Sequence, residues 1–198
     1  MATVPSGVTT LSSGTSGPLD AGTGRAVQGE KAHIVGAGGA ATDDDDGAGD
    51  HSLLVFGGTG DDPVAGDTGN DPVAGGAGDD LVIGGTGNDL LIGGAGNDVI
   101  HDGSGNDVMV GGKDRDVFVI ATGDGHDVIT DFATGDVLEI AHDVDGLSVA
   151  APNDLVALIN TDPSGNAVIF LGAEHSITLL GVSADDLIRH IDDYIRII

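Results

Sequence analysis

Aspartate recurs at every ninth residue from Asp62 to Asp116, at Asp62, Asp71, Asp80, Asp89, Asp98, Asp107 and Asp116. Each sits in a Gly-rich run and is followed two residues later by an apolar side chain: Val64, Val73, Val82, Leu91, Ile100, Met109 and Phe118. Carboxylates repeated this regularly are built to be brought together. Once together, they repel unless a cation lies between them. Two carboxylates plus backbone carbonyls from two turns supply the six to eight oxygens that Ca²⁺ takes. Mg²⁺ demands a tighter octahedron and keeps its water, and Zn²⁺ calls for His or Cys, which the loop ligand places lack.

The elements that must position these carboxylates follow from the same period. Residues 57–119 divide into seven units of nine without a gap: GGTGDDPVA, GDTGNDPVA, GGAGDDLVI, GGTGNDLLI, GGAGNDVIH, DGSGNDVMV and GGKDRDVFV. A strict short period signals a repeat architecture. Glycines at places one, two and four let the first six residues turn tightly. The last three residues are mostly β-branched or aliphatic, which predicts a strand about three residues long. Alternate strand side chains face opposite ways, so place eight points inward and places seven and nine outward. Turn and strand alternate, two units make one winding, and each loop stacks on the loop two units away. Asp62, Asp80, Asp98 and Asp116 then line one edge, and Asp71, Asp89 and Asp107 the other.

The units match GGxGxDxUx and resemble the RTX (repeats-in-toxin) calcium-binding family. That resemblance implies an all-β fold: a right-handed parallel β-roll loaded with Ca²⁺, closed by a C-terminal β-strand cap and a terminal helix. A further unit, Thr122–Thr130, follows an insertion of Ile120 and Ala121 and places Asp127 at position six. The expected ligands are the carboxylates of Asp62, Asp71, Asp80, Asp89, Asp98, Asp107, Asp116 and Asp127. With them come the turn glycines Gly58, Gly60, Gly76, Gly78, Gly85, Gly87, Gly94, Gly96, Gly103 and Gly105, for about six ions. The best sites are expected around Asp80, Asp89, Asp98 and Asp107, and the weakest at both ends. Pro63 and Pro72 fit only an edge strand or a strand's first residue. Asp67 and Asp102 replace glycines, Asp114 stands where the turn wants Gly, and Lys113 and Arg115 distort the seventh loop.

Three regions are expected: a Gly/Ser/Asp-rich flexible leader over 1–46, the roll over 47–135, and a capping and secretion-signal region over 136–198. Within the leader only KAHIVG, residues 31–36, reads as a strand. The run GAGDHSLL at 47–54 reads as a worn first unit with His51 in the aspartate's place. Gly125–Ile140 resembles the segment that closes such rolls, with Phe132 capping the open core. Beyond it, DVLEI, NAVIFL and SITLL read as strands, LVALI as helix or strand, and residues 162–165 as a turn. Ser183 caps a terminal helix with Leu187, Ile188, Ile191, Tyr194, Ile195 and Ile198 on one face. The outward apolar residues, Leu81, Ile83, Leu90 and Ile92 among them, are either scattered surface aliphatics or a face covered by the C-terminal segment or a second chain.

The 198 residues hold 33 acidic and six basic side chains, a net charge of −27. Nucleic acid is therefore excluded as a partner, as is an anionic membrane surface. No apolar run approaches transmembrane length, so no membrane insertion is expected. With no cysteine, stabilisation by metal in place of disulfides suits a secreted chain. The first twenty residues show no secretory signal. LLGVSADDL, with the acids and apolar cluster after it, is similar to the uncleaved C-terminal signals of RTX proteins exported by type I machinery. Catalytic motifs fail: there is no H-E-x-x-H, no G-x-S-x-G, no P-loop around Lys113, and no EF-hand around Gly47. The expectation is a non-enzymatic, extracellular or cell-surface bacterial calcium-binding protein that folds on Ca²⁺ and has structural or adhesive duty. The open alternatives are an accessory domain of a secreted hydrolase or polysaccharide epimerase, and a module binding a cell-surface glycan.

Overall fold

The computed structural model describes residues 33–35, 54–121, 125–144 and 146–198. Most of the leader, and the worn unit with His51, lie outside the described residues. The strands of the repeat region are β1 His33–Val35, β2 Leu54–Thr59, β3 Pro63–Ala65, β4 Pro72–Ala77, β5 Leu81–Thr86, β6 Leu90–Ala95, β7 Val99–Ser104, β8 Val108–Lys113, β9 Val117–Ile120, β10 Gly125–Ile129 and β11 Val137–Ile140. They are followed by β12 Asp143–Val144, β13 Leu147–Ser148, β14 Ile159–Thr161, β15 Ala167–Phe170 and β16 His175–Leu179. The chain ends with α1 Ala184–Arg189, α2 Ile191–Tyr194 and β17 Ile195–Ile197.

Successive units alternate between two sheets. One runs β1-β2-β4-β6-β8-β10-β16-β15-β14, the other β17-β11-β9-β7-β5-β3. Along the roll the pairs are parallel, with Val73 opposite Leu91 and Leu91 opposite Met109. This is the parallel β-roll implied by the repeat. Strands β2 and β4 to β8 are twice the predicted length, because pairing continues through the glycines: Gly85 faces Gly103 and Thr86 faces Ser104. Pro63 and Pro72 each open their strand, a position that a residue without an N–H can take.

Place eight is the core. Val55, Val64, Val73, Val82, Leu91, Ile100, Met109 and Phe118 are all at most 2% exposed and form one continuous stack. The stack widens along the chain from valines to Leu, Ile, Met and Phe. Places seven and nine point outward, and Leu81, Ile83, Leu90 and Val108 are exposed. The C-terminal segment does not lie over these faces but lengthens the sheets. β16 adds parallel to β10 and antiparallel to β15, while β17 adds parallel to β11. Phe132 is buried at the end of the core, its ring 5.9 Å from Phe118 and 5.5 Å from Tyr194.

The predicted terminal helix is corrected. Ser183 does cap it, its Oγ accepting from the Asp186 N–H at 3.1 Å, but the helix breaks at His190 and again after Tyr194. Ile195-Arg196-Ile197 is a strand, because its β-branched residues and free backbone groups complete the edge of β11. Ile198 is 55% exposed and leaves the predicted apolar face. The stretch LVALI divides between a 3₁₀ turn over Pro152–Leu158 and β14.

Candidate metal centre

Asp80, Asp89, Asp98, Asp107 and Asp116 are each held between two coils. The Asp62 N–H donates to Asp80 Oδ1 at 2.8 Å, Asp80 to Asp98 at 2.8 Å, and Asp98 to Asp116 at 3.0 Å. On the other edge the Asp71 N–H donates to Asp89 Oδ1 at 2.8 Å, Asp89 to Asp107 at 2.8 Å, and Asp107 to Asp127 at 2.9 Å. All eight predicted aspartates are at most 5% exposed. From Asp80 to Asp127, one carboxylate oxygen of each is thereby fixed by the preceding coil.

The other oxygen is bare. Oδ2 of Asp62, Asp80, Asp89, Asp98 and Asp107 is buried without a hydrogen-bond partner. It lies against the place-one glycine of its own unit: a Cβ on Gly75, Gly93 or Gly111 would run into the carboxylate of Asp80, Asp98 or Asp116. Buried polar atoms are otherwise almost always paired, and a buried unpaired carboxylate oxygen is especially costly. A hard cation fits these atoms: the donors are all oxygen, they repeat at every coil, and the turns beside them are backbone. Asp71 differs. Its Oδ2 accepts from the Asp67 N–H at 2.9 Å, a bond made where Asp67 replaces the usual glycine.

The turns themselves need glycine. Gly78 has φ +131°, and a Cβ there would meet the carbonyl of Gly60 in the coil below. Asp114 is the non-glycine held at positive φ, +80°, among the described residues. Of the predicted glycines, Gly58, Gly60, Gly76, Gly78, Gly85, Gly87, Gly94, Gly96, Gly103 and Gly105 all have positive φ and lie in the two stacks of turns beside the aspartates.

Crowding is visible in the acidities. Burial raises the Asp89 carboxyl to about 6, opposed by the N–H from Asp71 and reinforced by the Asp71 charge. Burial likewise raises Asp98 to about 6, Asp116 to about 6 and Asp107 to about 7. Asp80 is also shifted upward, first by burial. Asp102, at place one of the sixth unit, is pushed by burial to about 8.

A family model described as the RTX calcium-binding nonapeptide repeat (4 copies) matches residues 56–91 and 83–118. Residues 56–118 are RTX repeats. RTX repeats bind calcium, and the roll is a calcium-binding β-roll rather than a catalytic scaffold. No curated protein matches the chain in sequence. Among solved structures it is similar to the extracellular lipase LipA from Serratia marcescens, with 15% identity and a TM-score of 0.40, over 82% of this chain and 42% of the lipase chain. That score establishes neither a shared fold nor a shared activity, and the chain spans less than half of the lipase's length.

Several residues of the RTX loops escaped sequence reasoning. Place five forms its own outer ladder: Asn88 N–H donates to Asn70 Oδ1, Asn97 to Asp79 and Asn106 to Asn88, each at 2.7 Å. The signal was present, since the first six units all have Asp or Asn there. Asp136 continues the aspartate column, accepting from the Asp116 N–H at 3.1 Å. It stands 20 residues on, the same offset as Asp107 to Asp127, with Leu138 two residues later. Asp131 accepts the N–H groups of Gly111 and Gly112, both at 2.9 Å, and no pattern in the sequence pointed to it.

Proposed function

We propose that this chain is a non-enzymatic calcium-switched module, extended in the low calcium of the cytosol and folded outside the cell after export by type I machinery, where its duty is structural or adhesive. The observation that supports this reading is the column of buried carboxylate oxygens without donors. In their absence of partners, a folded roll at neutral pH would confine repelling charges, so folding and metal binding are one equilibrium. About six ions, one between each stacked pair from Asp62/Asp80 to Asp107/Asp127, satisfy the columns. The ligands are the place-six aspartates, chiefly through the bare Oδ2 of Asp62, Asp80, Asp89, Asp98 and Asp107, and the carbonyls of the turn glycines from Gly58 to Gly105. Extracellular calcium modules bind at ~10⁻⁴ to 10⁻³ M, above free cytosolic calcium. The resemblance of LLGVSADDL to RTX export signals, and the net charge of −27, support secretion as an open chain.

The test is a Ca²⁺ titration of the metal-free protein followed by far-UV circular dichroism, with Mg²⁺ as control. A cooperative coil-to-β transition specific to Ca²⁺ is expected. β-structure already complete in chelator and unmoved by Ca²⁺ would overturn the switch and the export mechanism with it.

A further inference from the structure

One edge of the roll ends differently from its beginning. Each aspartate along it stacks under another, Asp71 under Asp89, Asp89 under Asp107, Asp107 under Asp127. The next layer is β16, which comes from the C-terminal segment. There Ile177 stands opposite Asp127, and His175 stands opposite Gly125. The column thus runs out of carboxylates, and an imidazole closes it. Asp102 joins them from below, from a place that is glycine in the other six units.

We propose that Asp102, Asp127 and His175 form a second cation site, of different chemistry from the RTX loops, that takes a borderline divalent ion of the Zn²⁺ class. One ligand atom from each residue lies within 4.8 Å of the others. The three are 5%, 3% and 2% exposed. Asp127 spends Oδ1 on the Asp107 N–H, and its Oδ2 faces His175 Nε2 at 3.5 Å. Asp102 Oδ1 accepts the Gly103 N–H at 2.7 Å, which fixes its carboxylate while leaving its second oxygen for a ligand. A divalent ion would be held by one oxygen from each carboxylate and by the imidazole nitrogen, three buried donors within reach of one ion.

The donor set sorts the ions. Imidazole with carboxylates suits zinc and its neighbours, whereas Ca²⁺ selects oxygen alone. The place-six loops offer only oxygen; this site offers nitrogen as well. It joins β7 and β10 of the roll to β16 of the cap, so its ion would tie the C-terminal segment to the last coil. The proposal stands on these three side chains and does not depend on calcium driving the fold.

The experiment uses the full chain in excess Ca²⁺, titrated with Co²⁺ as a spectroscopic stand-in and then with Zn²⁺. Binding of one Co²⁺ per chain with visible d–d absorption, displaced by Zn²⁺ but not by further Ca²⁺, is the expected result. Asp102→Gly, which restores the repeat's own residue, should weaken Co²⁺ at least tenfold, as losing a metal partner does, while leaving the calcium-induced dichroism in place. His175→Gln should do the same to Co²⁺. No stoichiometric Co²⁺ binding overturns the site. So does displacement by Ca²⁺, which would make this an ordinary last calcium loop, and so does undiminished binding in Asp102→Gly.

Discussion

At the residue scale, the carboxylates of Asp80, Asp89, Asp98 and Asp107 each have two oxygens with separate duties: Oδ1 fastens the coil before it and Oδ2 is left for a cation. The division predicts unequal effects from equal substitutions. Asp98→Asn keeps an oxygen for the Asp80 N–H but removes the charge and the bare Oδ2. It should raise the calcium midpoint about tenfold or more, the scale on which even outer partners of a metal site act. Asp71→Asn should shift it less, because the Asp71 Oδ2 is already engaged by Asp67. Midpoints from dichroism titrations of the two variants check the order; equal shifts would contradict the division of labour. Acidity gives a second prediction. Asp89, Asp98 and Asp116 are raised to about 6 and Asp107 to about 7, from an ordinary 3.8. A raised folded-state value means stability fully present below pH ~4 and lost as pH climbs through 6 to 7. The metal-free roll should therefore gain β-structure in chelator as pH falls from 7 to 4. Protons compete with the ion for the same oxygens, so the calcium midpoint should rise over the same descent. A flat dichroism signal in chelator across that window would refute the shifts.

At the scale of elements, a six-residue strand buries one side chain deeply and offers its neighbour to solvent. Leu91 is fully buried and Leu90, one residue before, is 40% exposed. In the calcium-loaded protein, Leu91→Ala should cost about 2–5 kcal/mol, and Leu90→Ala no more than about 0.5 kcal/mol. Denaturant unfolding of the two variants decides it. Winding, stacking partners and inward column were all legible in the sequence, because a nine-residue period has one consistent placement of glycine, aspartate and aliphatic residue. The strand lengths were not, since glycine propensity argues against the extended pairing that stacked neighbours impose. The terminal strand was hidden for a similar reason. Ile191, Tyr194, Ile195 and Ile198 satisfy helical spacing, and only the open edge of β11 tells that Ile195–Ile197 is drawn into a sheet. His175 could not be placed from sequence at all: 48 residues separate it from Asp127, and only the arrival of β16 beside β10 unites them.

For the whole molecule, ligation must be separated from screening, because a chain of net charge −27 would be eased by any salt. Salt screens exposed charges farther apart than a Debye length, about 3 Å at 1 M, but acts much less on buried ones and supplies no ligand. In chelator, 1 M NaCl should therefore leave the chain expanded, while millimolar Ca²⁺ contracts it; small-angle scattering reads both, and full contraction by NaCl would show that screening suffices. The graded core has a further consequence. Because every unit has nearly the same turn, a strand could pair one whole winding out of step and still match glycine to glycine. Such an error would set Leu91 where Met109 belongs and Ile100 where Phe118 belongs, leaving a void at one level and a clash at another. The ascent from Val55 through Leu91 to Phe118 thus acts as an address written along a monotonous chain, and the step from 18 to 20 residues at Ile120–Ala121 is its final digit.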